Sequence, residues 1–196
     1  ELSISAVSVA EGGTETFTLW LTAEPQSPVS VMIASSDPAA LSVTPTDLTF
    51  DATTWNMPMT VTVEGLEDPD GLDDNVVLTF SSLIATTRFI PATVVDDDIQ
   101  ALIVDPTTIQ VTEGGTGTFD VSLTVMPPRS LSVNAVPLGS AVTVDSSTLT
   151  FSSGNWNVPQ TVTVTGVHDQ DLADGSDIIE MRSAETPTVS VSVAIL

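Results

Sequence analysis

The chain has no cysteine, no tyrosine and no lysine, and only one histidine and three arginines among its 196 residues. Without cysteine there are no disulfides and no thiolate sites, and the redox compartment cannot be read. Three cations cannot build the clustered Lys/Arg surface that neutralises nucleic-acid phosphates, so nucleic acid is excluded as a partner. The same shortage argues against docking on anionic lipid. One histidine cannot supply a base to two repeated units, and neither a Gly-x-Ser-x-Gly elbow nor a zinc-type His pair occurs. Paired carboxylates abound, as in glycosidases, but they lie in loop clusters, so no enzyme is expected. Apolar runs such as Ala101-Leu102-Ile103-Val104 are far too short to span a bilayer. No basic n-region followed by an apolar h-region opens this stretch of chain.

What is present is acid and β-forming residues. Twenty-six Asp and Glu give a formal net charge of −23, while 41% of residues are hydrophobic. That apolar content, with Val and Thr recurring throughout, distinguishes the chain from a disordered acidic tail. It also repeats itself. Glu11-Gly12-Gly13-Thr14 returns as Glu113-Gly114-Gly115-Thr116, Leu48-Thr49-Phe50 as Leu149-Thr150-Phe151, and Trp55-Asn56 as Trp156-Asn157. Thr60-Val61-Thr62-Val63 returns as Thr161-Val162-Thr163-Val164. The offset is 101 or 102 residues throughout, which predicts two homologous units over residues 1–98 and 99–196.

Each unit reads as strands. Phe17, Leu19 and Leu21 alternate with polar residues, as do the residues of 60–63 and 189–193. Gly, Pro, Asn and Asp punctuate these runs about every ten residues, and no stretch combines helical periodicity with caps. About seven short strands per ~100 residues predicts an all-β chain of two tandem immunoglobulin-like antiparallel sandwiches without the disulfide. No Gly/Ser-rich tether separates them, because Asp96-Asp97-Asp98 leads through Ile99-Gln100 directly into a strand-like run.

The charge is concentrated. The first unit holds 16 acidic residues and one Arg, the second 10 and two. The excess gathers in Glu67-Asp68-Pro69-Asp70-Gly71-Leu72-Asp73-Asp74 and in Asp96-Asp97-Asp98, and Asp169, Asp171 and Asp174 repeat part of the first cluster. A solvated acidic loop is the plain reading of such runs. Two like charges 4 Å apart repel by about 4 kcal/mol at an effective dielectric near 20. If the clusters meet in space, a hard cation with oxygen ligands relieves that repulsion, and calcium accepts 6–8 oxygens in flexible geometry.

The order Glu-Gly-Gly-Thr, a loop Asp, an acidic loop after a Val-rich strand and a closing Asp-Asp-Asp resembles the Calx-β family. The Leu-Thr-Phe…Trp-Asn…Pro…Thr-Val-Thr-Val stretch resembles its bacterial surface-protein repeats. The resemblance covers both units almost end to end. It implies a seven-stranded sandwich that binds calcium at one end. It also implies ligands at Glu11, Asp37, Glu67, Asp68, Asp70, Asp96, Asp97 and Asp98, with Asp73 and Asp74 as further candidates. In the second unit Glu113, Asp169 and Asp171 match. There Pro137-Leu138-Gly139-Ser140 lacks an acid, His168 stands where Glu67 does, and the sequence stops before any triplet. The second site is therefore expected to be weak or empty, and the pair to be part of a longer repeat array.

Other residues have plainer explanations. Trp55 and Trp156 could stack sugars, but their equivalence favours packing. Trp20 has no Trp counterpart and reads as a half-buried strand residue. Thr-x-Thr runs are ordinary solvent faces of strands. His168 could serve a transition metal, and a loop histidine is the simpler account. Gly12-Gly13 and Gly114-Gly115 are turn glycines, since no Lys or helix follows as in a phosphate loop. The functional expectation is a monomeric, calcium-binding pair of repeats outside the cell. It would act as a stalk or spacer of a bacterial surface or adhesin protein, with calcium stiffening the domain junction. Expected partners are calcium ions and neighbouring repeats. The alternatives are an adhesive module that recognises glycan or protein, and a calcium-sensing pair fused to a membrane protein.

Overall fold

The computed structural model describes residues 1–168 and 173–196. Backbone contacts divide the chain into two compact units: Glu1–Asp68 with Leu72–Asp97, and Pro69–Gly71 with Asp98–Leu196. Both are all-β among the described residues. No helix there is long and apolar enough to cross a membrane.

The first unit contains β1 (Val7–Ala10), β2 (Thr14–Leu19), β3 (Val29–Ser35), β4 (Leu41–Thr44), β5 (Asp47–Phe50), β6 (Met59–Gly65), β7 (Asp74–Ser81) and β8 (Arg88–Val95). Its sheets have the orders β1-β8-β7-β3-β5 and β2-β6-β4. The second unit contains β9 (Leu102–Asp105), β10 (Thr108–Val111), β11 (Thr116–Leu123), β12 (Leu131–Pro137), β13 (Val142–Val144), β14 (Thr148–Phe151), β15 (Gln160–Gly166), β16 (Gly175–Arg182) and β17 (Val189–Ile195). Its sheets run β10-β17-β16-β12-β14 and β13-β15-β11-β9.

Period-2 patterning explains the layers. In β8 the residues Ile90, Ala92 and Val94 are buried and alternate with Phe89, Pro91 and Val95. The inward faces of both sheets meet in one core per unit. In the first, Phe17 packs edge-on against Phe80, with ring centroids 5.8 Å apart at 73°. In the second, Phe119 takes the place of Phe17, and both Phe119 and Phe151 are fully buried.

The sandwiches differ from the sequence expectation in two respects. Each unit has eight or nine strands rather than about seven, and each has one parallel pair, β1 with β8 and β10 with β17. The parallel pair arises where the first strand of a repeat changes sheets. In the second unit β9 pairs with β11, the chain breaks at Pro106, which has no N–H to donate, and β10 joins β17. In the first unit the counterpart of β9 is a single bridge from Leu2 to Leu19.

The Trp-bearing turns are built alike from different side chains. Asp51 Oδ1 accepts from the Thr53 hydroxyl (2.7 Å) and amide (2.8 Å) and from the Thr54 amide (3.0 Å). In the second unit Asn155 Oδ1 accepts from the Ser152 amide (2.6 Å) and hydroxyl (2.9 Å). Each turn then presents its Trp carbonyl to the end of the neighbouring strand, Trp55 to the Leu21 amide (2.7 Å) and Trp156 to the Leu123 amide (2.9 Å). Trp156 also packs on its core. The packing role expected of the Trp residues is thus seen at Trp156, while Trp55 contributes a backbone tie.

The Thr53 hydroxyl, followed by the Thr53 amide, holds the Asp51 carboxyl below its ordinary value of 3.8. Hydrogen bonds to the ionised form favour it. The stabilisation is therefore present above the unfolded value of about 3.9 and is lost as pH falls through the lower folded value. Asp51→Asn keeps the acceptor, as Asn155 does, but removes the titration. Because the neutral amide lacks the charge that strengthens these bonds, thermal unfolding as a function of pH is expected to show a lower melting point for the variant at pH 7 and a difference that closes as pH falls below about 4.

Candidate metal centre

At one end of the first unit the chain passes from one sheet to the other through Glu11-Gly12-Gly13. The Glu11 amide donates to the Val95 carbonyl (3.0 Å), and the Gly13 amide turns back to the Ala10 carbonyl (3.0 Å). Gly12 adopts a left-handed φ of +60°, which a side chain would strain. Glu11 also forms a parallel bridge with Gly65 at the end of β6. A Cβ at Gly65 would lie 2.5 Å from the Ala10 carbonyl oxygen, so only glycine lets these backbones come together.

This crossing buries Glu11, which is 6% exposed, next to the ends of β6 and β8. The segments leaving those strands carry Glu67-Asp68 and Asp96-Asp97. Two groups of carboxylates converge there, each with one oxygen per residue and all within 4.8 Å of one another. They are Glu11 with Glu67 and Asp97, and Glu11 with Asp68 and Asp96. Glu11 belongs to both. Asp73 supports the arrangement by accepting the Asp96 amide (3.0 Å). Calcium–oxygen distances of about 2.4 Å allow two ligands of one ion to be at most about 4.8 Å apart, and both groups lie within that spread. The donors are all hard oxygens, and none is the nitrogen or sulfur that a transition metal would favour.

Five of the residues expected as ligands are therefore brought together, all on the first unit: Glu11, Glu67, Asp68, Asp96 and Asp97. Asp37 is not among them. Its Oδ1 accepts the Ala39 amide (3.0 Å) and its carbonyl the Leu41 amide (3.0 Å), which makes it a turn residue. Asp70 and Asp98 group with the second unit, where Asp70 bridges Met126. Asp169 and Asp171 lie outside the described residues.

In the second unit the Glu-Gly-Gly turn is rebuilt, with Gly114 at φ +67° and Glu113 bridged to Gly166. Here Glu113 Oε2 is 2.7 Å from His168 Nδ1, so the residue replacing Glu67 is a hydrogen-bonding partner of the glutamate. The missing loop acid has also been replaced. Asp177, 8% exposed, reaches from β16 to accept the Gly139 amide (2.8 Å) and the Ala141 amide (3.2 Å). Sequence reasoning missed Asp177. The available signal was an acid at an inward position of an alternating strand, opposite a Gly in a loop that had lost its own acid.

A side chain at Gly12 would meet Glu67 Oε1 at 2.5 Å, whereas one at Gly114 would meet nothing within 4 Å. Both substitutions incur the left-handed penalty of about 1–2 kcal/mol. Gly12→Ala is expected to weaken divalent-cation binding as well, by displacing Glu67, while Gly114→Ala lowers stability alone. Calorimetric titration and thermal melts of the two variants separate these effects.

No protein-family model matches the chain, and no curated protein does. Among solved structures, it is similar to domains 4 and 5 of the S-layer protein SbsC at 20% identity and a TM-score of 0.45, covering 97% of this chain and 92% of that one. The D0–D1 domain of intimin is 16% identical with a TM-score of 0.36, covering 96% and 95%. The CupB2 chaperone of Pseudomonas aeruginosa is 12% identical with a TM-score of 0.40, covering 98% of each chain. The strand order and the two sheets that share one core in each unit make the chain an all-β protein of immunoglobulin-like sandwich architecture.

Proposed function

We propose that the first unit binds calcium through Glu11, Glu67, Asp68, Asp96 and Asp97. In this reading the chain is a pair of Calx-β-like repeats that works without catalysis, outside the cell, as a calcium-ordered stalk or spacer of a bacterial surface protein. The observation that carries the reading is the burial of Glu11 within two converging carboxylate groups. Burying a charge beside like charges is costly unless a cation compensates it. A divalent ion supplies that compensation for both triads.

Binding would order the acidic loop that follows β6 and stiffen the segment Asp96–Asp98 that follows β8. A ligand that binds only the folded state stabilises it by RT ln(1 + [L]/Kd), about 2.7 kcal/mol at 100 times Kd. Extracellular calcium modules bind with Kd on the order of 10⁻⁴–10⁻³ M, which suits calcium-rich surroundings. The lysine-free acidic surface is also compatible with high salt, where screening relieves self-repulsion, and like charge favours a monomer.

Calcium titration calorimetry of the chelator-treated chain, with melts in the presence and absence of calcium, is the test. Saturable binding and a melting point several degrees higher are expected. Magnesium should bind more weakly, since it demands tighter octahedral geometry and retains its waters. Glu11→Gln is expected to lower calcium affinity at least tenfold, about 1.4 kcal/mol. A flat titration with unchanged melting would reduce the cluster to solubilising charge.

A further inference from the structure

The two repeats serve as controls for each other. Ladder register aligns them residue by residue: Asp74 faces Val94 in the first unit as Gly175 faces Ile195 in the second. On that alignment Arg88 corresponds to Val189, Phe89 to Ser190, Leu83 to Ala184 and Ile84 to Glu185. The loops between the last two strands have the same length in both units. A polar loop and a closing valine therefore satisfy the fold, and the first unit's residues at these positions answer to some other requirement.

Arg88 occupies the last inward-facing position of β8, in line with the buried Ile90, Ala92 and Val94. In the second unit, Val189 at that place packs on the core and closes its end. In the first, the end stays open as a groove of about 490 Å³, whose walls include Leu21, Val31, Phe80 and Ile90 and whose rim carries Arg88 and Phe89. That volume is in the usual range for small-ligand sites, about 300–1,000 Å³. Beside it Leu83 is 104% exposed, Ile84 72% and Phe89 67%. Arg129 pairs with Glu185, and Arg182 Nε donates to Glu180 (2.7 Å). Arg88 is the one arginine for which the described residues show no ion pair.

The geometry points to a binding site in this groove for a small acyl carboxylate, a ligand with an apolar chain and one anionic end. The chain covers the exposed ends of the core and the apolar rim, and the carboxylate pairs with Arg88, whose planar guanidinium suits bidentate recognition. The acidic cluster does not oppose this. Arg88 and Asp96 stand eight residues apart along an extended strand, about 26 Å at ~3.3 Å per residue. That is several Debye lengths at physiological salt, where one is about 8 Å. The site is independent of the calcium reading.

The test is an NMR titration of the full chain with sodium octanoate and, separately, with octanol, both in the presence of a calcium chelator. Octanoate is expected to produce saturable shifts at the methyls of Leu21, Val31 and Ile90, and octanol to bind at least tenfold more weakly. Arg88→Val, the residue used by the second repeat, should remove the preference for the carboxylate. Ile84→Glu, also taken from the second repeat, should weaken octanoate more than octanol, and it serves if Arg88→Val does not fold. Octanol binding as tightly as octanoate, an absence of saturable shifts at these methyls, or a carboxylate preference that survives in a folded variant would each overturn the proposal.

Discussion

The carbonyl of Ala10 presses on Gly65 so closely that a single added methyl group would overlap it. This contact lets β1, paired in parallel with β8 in one sheet, hand the chain across to β2 in the other within three residues. Three strand ends are thereby gathered at one point: those of β1, β6 and β8. Each is followed by acid, and the position next to the contact, Glu11, is forced inward. The convergence of carboxylates is thus a consequence of backbone closeness that glycine alone permits. The second repeat has the same contact, with Gly166 under the Thr112 carbonyl at 2.7 Å from a would-be Cβ.

Given that shared geometry, the two repeats handle the glutamate of the turn differently. The first surrounds Glu11 with Glu67, Asp68, Asp96 and Asp97, an arrangement of one sign that the proposed calcium would neutralise. The second places His168 against Glu113, a partner that can donate a hydrogen bond whether neutral or charged. A change from Glu to His at one loop position replaces a like charge beside the glutamate with a ring nitrogen at hydrogen-bonding distance. Asp177 shows the same economy. When Asp37 becomes Gly139, a carboxylate from the adjacent strand accepts from the loop amides, and the turn survives with its acceptor relocated.

Most of the architecture was legible because β-sandwich cores obey a period of two, and because a repeat doubles every signal. Phe17 recurs as Phe119, Phe50 as Phe151 and Val61 as Val162, all buried. The acidic convergence was legible too, since Glu-Gly-Gly fixes a turn and the acidic runs follow strands of readable length. The parallel pairing was not, because β1 alternates like any strand and its choice of neighbour depends on where the first strand leaves its sheet. Asp37 was ambiguous for a related reason. An Asp before Pro in a Ser-rich loop can serve as a turn acceptor or as a ligand, and only the position of the Ala39 amide distinguishes the two.

Divergence between the repeats is concentrated where the fold makes no demand. The central strands keep their buried residues, or exchange them for others of like character, as when Phe80 becomes Met181. The sandwich ends change in sign and polarity. At one end Glu67 becomes His168; at the other Arg88 becomes Val189 and Phe89 becomes Ser190. Core positions are held by packing density, which penalises both cavities and overfilling. The ends face water, so a substitution there is judged by what it binds. An arginine at the inward edge of a strand, in a unit with 16 acids, leaves the core end uncovered where valine would seal it. Retaining that opening has a stability cost that the second repeat avoids. The two ends of the first unit thus differ from those of the second in charge and polarity, while the core between them is kept.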